Sequence, residues 1–447
     1  MFQTYEEAQQ WITGLSSLGI RPGLERMRLF MDKFDHPERR LKFIHVAGTN
    51  GKGSVCAYLS EVLKECGYDV GTFTSPYLEH YTSRIRLNGQ NIPEESVLRL
   101  ANRIKPVADE IAGTEWGPAT SFEISTVLAI LYFATEAYPD YVVWETGLGG
   151  RLDSTNIVYP VATVITNIGY DHMDLLGNDI ASIAREKAGI IKPGVPVITA
   201  VKQPEALEVI RAAAEEKKAS LYVLGKQFSF QTLDREENRQ TFRFECIFRT
   251  LEQVPITMNG LHQVENAAVA LMTLEVLRQY MALIVEDEDL FRGMEQTRWP
   301  GRLETVSHSP KLVLDGAHNA EGAAALAEAL TGTYSYQNLH VVLGMVESKN
   351  HRGVLEHILP IANTLIITEP DISRKMDSGR LMKLAEDVMT ASGKKVNLEL
   401  EPDWRKAVRR VMEITRPDDL AVVTGTLYLI SDVRSMILHH ADTEKGW

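Results

Sequence analysis

The stretch HVAGTNGKGS, residues 45–54, decides the fold of this chain. It completes the apolar, β-branched run KFIHVAG (42–48) and leads into SVCAYLSEVLKECG (54–67), where apolar residues recur every three to four positions. The segment therefore predicts a strand, a glycine-rich loop and a helix. Backbone N–H groups at a helix N-terminus lack intrahelical acceptors and can bind phosphate oxygens.

The composition of this loop predicts nucleotide binding. We interpret Gly48, Gly51 and Gly53 as positions where a side chain would block the approach of phosphate to the backbone. Lys52 is expected to neutralise the β- and γ-phosphates, and the Ser54 hydroxyl to reach a phosphate or a magnesium ion. The loop is shorter than GxxxxGK[ST] and has a glycine between lysine and serine. It does not distinguish a kinase, a GTPase and a ligase.

The rest of the chain alternates short β-branched runs with helical patterns, which predicts a parallel sheet covered on both faces. The runs 228–233 and 241–248 break this rhythm and predict an antiparallel hairpin. RWPGR (298–302) marks a boundary, after which the alternation restarts. We predict an α/β protein: a large N-terminal P-loop-type parallel-sheet domain (1–297) with a small hairpin, and a smaller C-terminal Rossmann-like α/β domain (298–447).

Composition narrows the partners and the compartment. The net charge is −13, from 60 acidic and 47 basic side chains, so nucleic acid and anionic membranes would be repelled. Cys56, Cys66 and Cys246 form no CxxC pair, which favours reduced thiols in the cytosol. No signal-peptide pattern and no apolar run of 18 residues occurs. We expect a cytoplasmic monomer that acts on small molecules.

Polar side chains follow two predicted strands. WETGLGGRLDSTN places Glu145 at a strand end, and TNIGYDHMDLLG ends the next strand with Asp171 and His172. In an open parallel sheet, ligands gather beyond the carboxyl ends of the strands. Taken singly, Glu145 would be a helix cap and His172 a satisfied polar residue. Beside a phosphate loop, the set predicts a magnesium site.

Lys187 lies in the helical turn that follows, within SIAREKAGIIKPG. An ammonium group cannot ligate magnesium. A desolvated, neutral lysine can react with carbon dioxide to give an anionic carbamate, which could. The residue pattern alone favours an ordinary surface lysine.

Nine motifs run along the chain in order: HVAGTNGKGS, TSPYL (74–78), SFE (121–123), ETGLGGRLDSTN, NIGYDHMDLLG, REKAGI, HQVENA (262–267), PGR (300–302) and DGAHN (315–319). Together they resemble the folylpolyglutamate synthase/dihydrofolate synthase family of the Mur ligase superfamily. The resemblance implies an ATP-dependent ligase that adds L-glutamate to folates and to dihydropteroate through an acyl phosphate. It also implies two magnesium ions and a carbamylated Lys187.

The resemblance assigns roles to individual residues. The implied ATP-binding residues are Thr49, Asn50, Gly51, Lys52, Gly53, Ser54, Asn266, Arg302 and Asp315. The implied metal ligands are Ser75, Glu145, His172 and carbamylated Lys187. The implied catalytic residues are Lys52, His172, Lys187 and His318. The implied folate-binding residues are Ser121, Phe122, Leu152, Asp153 and Ser154. Glutamate is expected to dock on the C-terminal domain.

Two segments depart from the family pattern, and three other functions compete with it. Ser83-Arg84-Ile85 stands where the family often has Glu-Arg-Ile, and Gly425-Thr426-Leu427-Tyr428 where it has Gly-Ser-Leu-Tyr. The competing functions are a Mur-type ligase for a peptidoglycan precursor, a P-loop switch or kinase, and a catalytically dead nucleotide-binding protein. TSPYL and SFE favour folate, and Asn266, Arg302 and Asp315, spread across two domains, argue against a switch.

Overall fold

A computed structural model describes residues 1–439. The α-helices are α1 (Tyr5–Gly14), α2 (Glu25–Lys33), α3 (Lys52–Glu65), α4 (Glu94–Ala112), α5 (Ser121–Tyr132), α6 (Met173–Leu176), α7 (Ile180–Ala188), α8 (Pro204–Glu216), α9 (Leu261–Met281), α10 (Asp287–Gln296), α11 (Ala320–Thr333), α12 (His351–Ile358), α13 (Ser378–Ser392), α14 (Trp404–Ile414) and α15 (Leu427–Leu438). The strands are β1 (Phe43–Ala47), β2 (Val70–Phe73), β3 (Ile85–Leu87), β4 (Gln90–Asn91), β5 (Tyr141–Glu145), β6 (Pro160–Ile165), β7 (Val197–Thr199), β8 (Leu221–Val223), β9 (Phe228–Glu236), β10 (Arg239–Cys246), β11 (Thr250–Ile256), β12 (Glu304–His308), β13 (Lys311–Leu314), β14 (Leu339–Leu343), β15 (Thr364–Glu369), β16 (Asn397–Asp403) and β17 (Leu420–Thr424).

The first sheet has eight strands in the order β4-β3-β2-β5-β1-β6-β7-β8. From β2 to β8 the strands are parallel, and β3 and β4 add an antiparallel edge. Alternate residues of β1 point to opposite faces. Ile44 and Val46 pack into a core with α3 and α9, while Phe43 packs with α5 on the other face. Both faces are thus covered, as a parallel sheet requires.

The antiparallel hairpin predicted around residues 228–248 is present and gains a third strand. β9, β10 and β11 form an antiparallel sheet in the order β11-β10-β9. Phe242, Phe244 and Val254 alternate toward α9 and share its core. This small sheet covers the outer face of α9, so that helix is buried along most of its length.

The second large sheet has six strands in the order β12-β13-β17-β14-β15-β16, and all but β12 are parallel. Helices cover both of its faces and form two further cores. The predicted α/β class, with two parallel-sheet units and a small antiparallel element, is confirmed. The predicted division at residue 298 falls between α10 and β12, and the division itself stays a prediction.

Side chains from the two large sheets meet across a cleft. Arg434 on α15 forms ion pairs with Glu304 at 3.0 Å and with Glu79 at 2.7 Å, which ties the last helix to the loop after β2. Asn50, after β1, and Tyr170, after β6, form hydrogen bonds with Asn319 and Glu321, so these two loops also face the second unit. Across residues 1–439, every helix is too short or too polar to cross a bilayer.

Candidate active site

Two cavities open at the carboxyl ends of β1 and β5. The first, which we call the loop cavity, has a volume of about 260 Å³ and is lined by both large units. Every residue predicted to bind ATP or metal lines it, and so does His318. The second, which we call the Trp299 cavity, has a volume of about 320 Å³ and lies on the other side of Ser75 and Glu145.

At two positions of the glycine loop, neighbouring residues of the protein leave no room for a side chain. Gly48 has φ +150°, and a Cβ there would lie 1.8 Å from Oγ1 of Thr166. Gly51 has φ +81°, and its Cβ would lie 2.3 Å from Oδ1 of Asn266. The loop is therefore held against β6 and α9 by contacts that exclude any side chain at these positions.

The third glycine makes room for an indole. A Cβ on Gly53 would lie 2.7 Å from Nε1 of Trp299, in the segment that joins the two units. All three glycines were predicted to allow phosphate to approach the backbone, but in the structure their close neighbours are Thr166, Asn266 and Trp299. The glycine between Lys52 and Ser54 is thus explained by packing against Trp299.

The start of α3 has the properties of an anion site. The helix begins at Lys52, so the N–H groups of its first turn have no intrahelical acceptor. Nζ of Lys52 donates to the carbonyl oxygens of Gly48 and Thr49, at 3.1 and 3.3 Å, which holds the ammonium group over the loop. Nε2 of Gln263 donates to Oγ of Ser54 at 3.2 Å. The loop therefore presents free N–H groups and one cation on the same side.

Glu145 ends β5 inside the cleft and is 4% exposed. Its Oε2 accepts a hydrogen bond from the backbone N–H of Ser75 at 3.0 Å. Burial raises the pKa of Glu145, while the charge of Lys52 and the Ser75 hydrogen bond act in the opposite direction. A cation bound beside Glu145 would favour its ionised form further.

Lys187 is buried, with 4% exposure, and the surface position favoured by the residue pattern alone is wrong. α7 carries it under the glycine loop, where Nζ donates to the carbonyl oxygen of Gly48 at 2.9 Å. Burial, and then the charge of Lys52, lower the pKa of Lys187 to about 7. Burial thus favours the neutral form of this amine, which is the nucleophilic form.

A polar cluster joins the two units at the edge of the loop cavity. Asp171 Oδ1 lies 2.5 Å from Nζ of Lys349, and its Oδ2 lies 3.4 Å from Nε2 of His318 and 3.4 Å from Nδ2 of Asn319. Burial alone would raise the pKa of Asp171, but the hydrogen bond from His318 and the charge of Lys349 hold it well below its ordinary value. Partial burial and the charge of Lys349 lower the pKa of His172 to about 4.

Lys349 was missed by the sequence analysis. It follows β14 in the loop at the carboxyl end of that strand, which is the position that singled out Glu145 and His172. The same rule applied to the second sheet would have found it. Asn50 and Asn319 exchange amide hydrogen bonds of 3.3 and 3.0 Å beside it, so the phosphate loop also contacts the start of α11 directly.

Asp315 holds the start of the second unit in place. Its Oδ2 accepts from the backbone N–H of Leu303 at 3.0 Å, and its Oδ1 accepts from that of Ala317 at 2.9 Å. These bonds join the segment after Arg302 to the loop after β13. The Arg302 guanidinium donates to the carbonyl oxygen of Gly301 at 3.0 Å and lines both cavities.

The five residues predicted to bind folate line neither cavity. Ser121 and Phe122 begin α5, and the Phe122 ring lies against Gly147. Asp153 accepts from the N–H groups of Leu148 and Thr155, at 2.7 and 3.0 Å, so its carboxylate already orders the loop after β5. The folate role of these residues stays a prediction.

The residues present fit a magnesium ion in part. Magnesium prefers oxygen ligands, and the Glu145 carboxylate and the Ser54 and Ser75 hydroxyls share one cavity. His172 and unmodified Lys187 offer nitrogen, so their end of the cavity fits magnesium only if Lys187 carries a carbamate. Among residues 1–439, no three His, Cys, Asp or Glu side chains cluster as a metal site by themselves.

Comparisons with known proteins agree with this architecture. Residues 46–274 match the Mur ligase middle domain, and residues 301–427 match the Mur ligase glutamate ligase domain. The dihydrofolate synthase/folylpolyglutamate synthase of Bacillus subtilis is 40% identical over 440 residues, covering 98% of this chain and all of the relative.

Solved structures show the same likeness. The folylpolyglutamate synthase of Thermotoga maritima superposes with a TM-score of 0.84 at 34% identity, covering 99% of this chain and 98% of that one. Escherichia coli FolC, solved in complex with DHPP and ADP, gives 0.85 at 30% identity, covering 97% and 98%. The chain belongs to the Mur ligase family and, within it, to the dihydrofolate synthase/folylpolyglutamate synthases, which are ATP-dependent ligases.

Proposed function

We propose that the chain uses ATP to join L-glutamate to the carboxyl group of a folate acceptor, and that it accepts both dihydropteroate and tetrahydrofolates. The observation that carries the proposal is the loop cavity, where Lys52 and the first turn of α3 face Glu145 and the second unit. Two of its relatives are named dihydrofolate synthase/folylpolyglutamate synthase, and these names support both dihydropteroate and tetrahydrofolates as acceptors.

The reaction needs an activated carboxyl group, because a carboxylate does not condense with an amine in water. The acceptor carboxylate attacks the γ-phosphorus of ATP, ADP leaves, and an acyl phosphate forms. In dihydropteroate this is the aryl carboxylate, and in a folylglutamate it is the terminal γ-carboxylate. The amine of L-glutamate then attacks the acyl carbon and displaces phosphate, with loss of one proton. We assign glutamate docking to the C-terminal domain.

The charges of this site stabilise the anionic groups that form in these two reaction steps. N–H groups of the first turn of α3 and the Lys52 ammonium bind the phosphates and offset the approach of an anionic acceptor. His318 lines the same cavity, with Nδ1 2.8 Å from the Gly316 carbonyl oxygen. Magnesium ions, held by Glu145 and Ser75 and by His172 and a carbamate on Lys187, would neutralise further phosphate charge. Thr49, Asn50, Asn266, Arg302 and Asp315 are assigned to ATP.

The carbamate on Lys187 is part of the proposal. The neutral amine would add to carbon dioxide and release one proton, which replaces a buried cation with an anion. The burial of Lys187 under the glycine loop supports this, because an ammonium at this position adds to the charge of Lys52. The carbamate oxygens would then face the same cavity as His172.

The protein is proposed to act as a cytoplasmic monomer. All residues assigned to ATP and to the metal ions belong to one chain and line the loop cavity, which supports a monomer as the active unit. Its net charge of −13 opposes binding to nucleic acid or to an anionic membrane. Cys56, Cys66 and Cys246 are free thiols, as expected in a reducing compartment.

The test is ATP-dependent incorporation of labelled L-glutamate, run separately with dihydropteroate and with tetrahydrofolate, with ADP measured in parallel. We expect one ADP per glutamate added with each acceptor. Lys52→Ala should abolish turnover, because the phosphates lose their cation. Glutamate incorporation with neither acceptor, or unchanged turnover in Lys52→Ala, would refute the proposal.

A further inference from the structure

The Trp299 cavity holds neither the ATP nor the magnesium ions of the proposed reaction. It shares Gly53, Ser75, Glu145 and Arg302 with the loop cavity, so it begins next to the expected position of the γ-phosphate. From there it extends along the loop after β2 toward α15. A substituent of the acceptor that lies in the Trp299 cavity would be only a few bonds from the carboxyl group that is activated.

One wall of this cavity carries an arginine without an anionic partner. Arg86 lies on β3, and among residues 1–439 its side chain has no ion pair, while its Nε is buried and has no hydrogen-bond acceptor. Its guanidinium lies 5.7 Å from the ring centre of Trp299, a cation–π contact that fixes its direction. Burial, and then the charge of Arg434, lower the pKa of Arg86.

The neighbouring arginine shows the usual arrangement. Arg434 lines the same cavity but is paired with Glu304 and with Glu79. Glu79 and Glu304 are thus paired with Arg434, and Glu145, which also lines the cavity, accepts from the backbone N–H of Ser75, whereas Arg86 has no ion pair among residues 1–439. A partly buried guanidinium without a counterion would be stabilised by a ligand that supplies a negative charge.

The chemistry of the substrates identifies that negative charge. The triphosphate has its own N–H groups and lysine in the loop cavity. A planar guanidinium matches a carboxylate through two parallel hydrogen bonds. In a folylglutamate, an α-carboxylate stands three carbons from the γ-carboxyl group that is activated, whereas dihydropteroate has no such group. L-Glutamate also carries an α-carboxylate, but Arg86 belongs to the first sheet and glutamate is assigned to the second unit.

We propose that Arg86 binds the α-carboxylate of the terminal glutamyl residue of a folate acceptor, and that it thereby favours folylglutamates over acceptors without that group. This inference rests on the proposed ligase function. Trp299 holds the guanidinium in place, and Gly53 lets Trp299 pack against the phosphate loop, so the carboxylate site is positioned relative to the γ-phosphate.

The test compares two acceptors that differ only in the α-carboxylate, tetrahydropteroylglutamate and tetrahydropteroyl-γ-aminobutyrate. For the unmodified protein we expect kcat/KM to be about 10- to 100-fold higher with the glutamate acceptor, the range of a charge-assisted hydrogen-bonded pair. Arg86→Met should remove this preference and leave the aminobutyrate reaction and the KM for L-glutamate unchanged. Arg86→Lys, which keeps the charge, should retain part of it.

Arg243→Met is the matched control, because Arg243 lies on the exposed hairpin sheet and pairs only with Glu245 and Glu252 among residues 1–439. It should leave the preference intact. Equal loss with both acceptors, or a raised KM for L-glutamate in Arg86→Met, would overturn the inference. Equal kcat/KM for the two acceptors in the unmodified protein would also overturn the inference, whether or not Arg86→Met folds. Absence of glutamate ligation with every acceptor would refute the proposed function instead.

Discussion

The indole of Trp299 occupies the space that a side chain on Gly53 would need, with Nε1 2.7 Å from the position of such a Cβ. The two residues are 246 positions apart in the chain. This contact couples the phosphate loop to the segment joining the two units. We expect Gly53→Ala to lower the free energy of unfolding by about 1–3 kcal/mol, because the indole must move in a closely packed site.

The effect of Gly53→Ala on the free energy of unfolding should have the opposite sign when the indole is absent. In a Trp299→Ala background, Gly53→Ala places a better helix former in the first turn of α3 and should stabilise the protein by about 0.5 kcal/mol. Urea unfolding of the four proteins measures this coupling. An equal effect of Gly53→Ala in both backgrounds would show that the indole is not what excludes a side chain.

Lys187→Ala should lower kcat at least 100-fold, because the buried site loses both the amine and any carbamate formed on it. A small carboxylic acid such as acetate should restore part of the activity by filling the space beneath Gly48 with a carboxylate. The measurement is the initial rate against acetate concentration at constant ionic strength.

The control for this rescue is Lys52→Ala, whose lost cation a carboxylate cannot replace. Acetate should leave Lys52→Ala inactive. Full activity of Lys187→Ala without any addition would exclude the carbamate role, and equal rescue of both variants would mean that acetate acts elsewhere.

Lys349→Met should destabilise the protein by about 3 kcal/mol, because it leaves the Asp171 carboxylate buried without its cation. Adding Asp171→Asn should recover more than half of that loss, since the variant side chain carries no charge. Lys33→Met removes a lysine whose ion pair with Glu110 is largely exposed, and it should cost less than about 1 kcal/mol. Urea unfolding of each protein gives the free energies of unfolding. If the effects of Lys349→Met and Asp171→Asn were additive, the two residues would not interact as an ion pair.

The sequence alone predicted the elements that carry a local pattern. The strand, loop and helix around Lys52 were predicted from apolar spacing, and the hairpin around Phe242 from its alternation. β11, β12 and β16 were missed, because fewer than half of the positions in each are buried and the apolar pattern is weak. Edge strands have one solvated side, and the continuous apolar run of a central strand is then lost.

The site was predicted where residues follow strand ends, and it was missed where contacts are long-range. Glu145 and His172 stand in positions that the sheet rule singles out. The burial of Lys187 depends on how α7 packs beneath the glycine loop, which no local pattern reports. Lys349 also follows a strand end, so the same rule would have found the residue, but its ion pair with Asp171 joins segments far apart in the chain, as does the contact of Trp299 with Gly53.

His45 on β1 is fully buried. Thr155 donates its hydroxyl proton to Asp153, so it accepts from Nε2 of His45 at 3.0 Å. Nδ1 is then bare, and among residues 1–439 it has no partner. Burial, and then the charge of Lys192, lower the pKa of His45 to about 3, because a proton on Nδ1 would bury a charge and an unsatisfied donor.

This histidine should make the protein sensitive to mild acid. As pH falls through about 6.5 the unfolded chain takes up a proton that the folded chain refuses until about pH 3, so stability is full above this window and declines within it. Between pH 7.5 and 5.0 the loss from this group is about 2 kcal/mol. In His45→Gln the amide can still donate to Thr155 but does not titrate. Between pH 7.5 and 5.0 the unmodified protein should therefore lose about 2 kcal/mol more unfolding free energy than the variant. Parallel pH profiles for the two proteins would contradict the assignment.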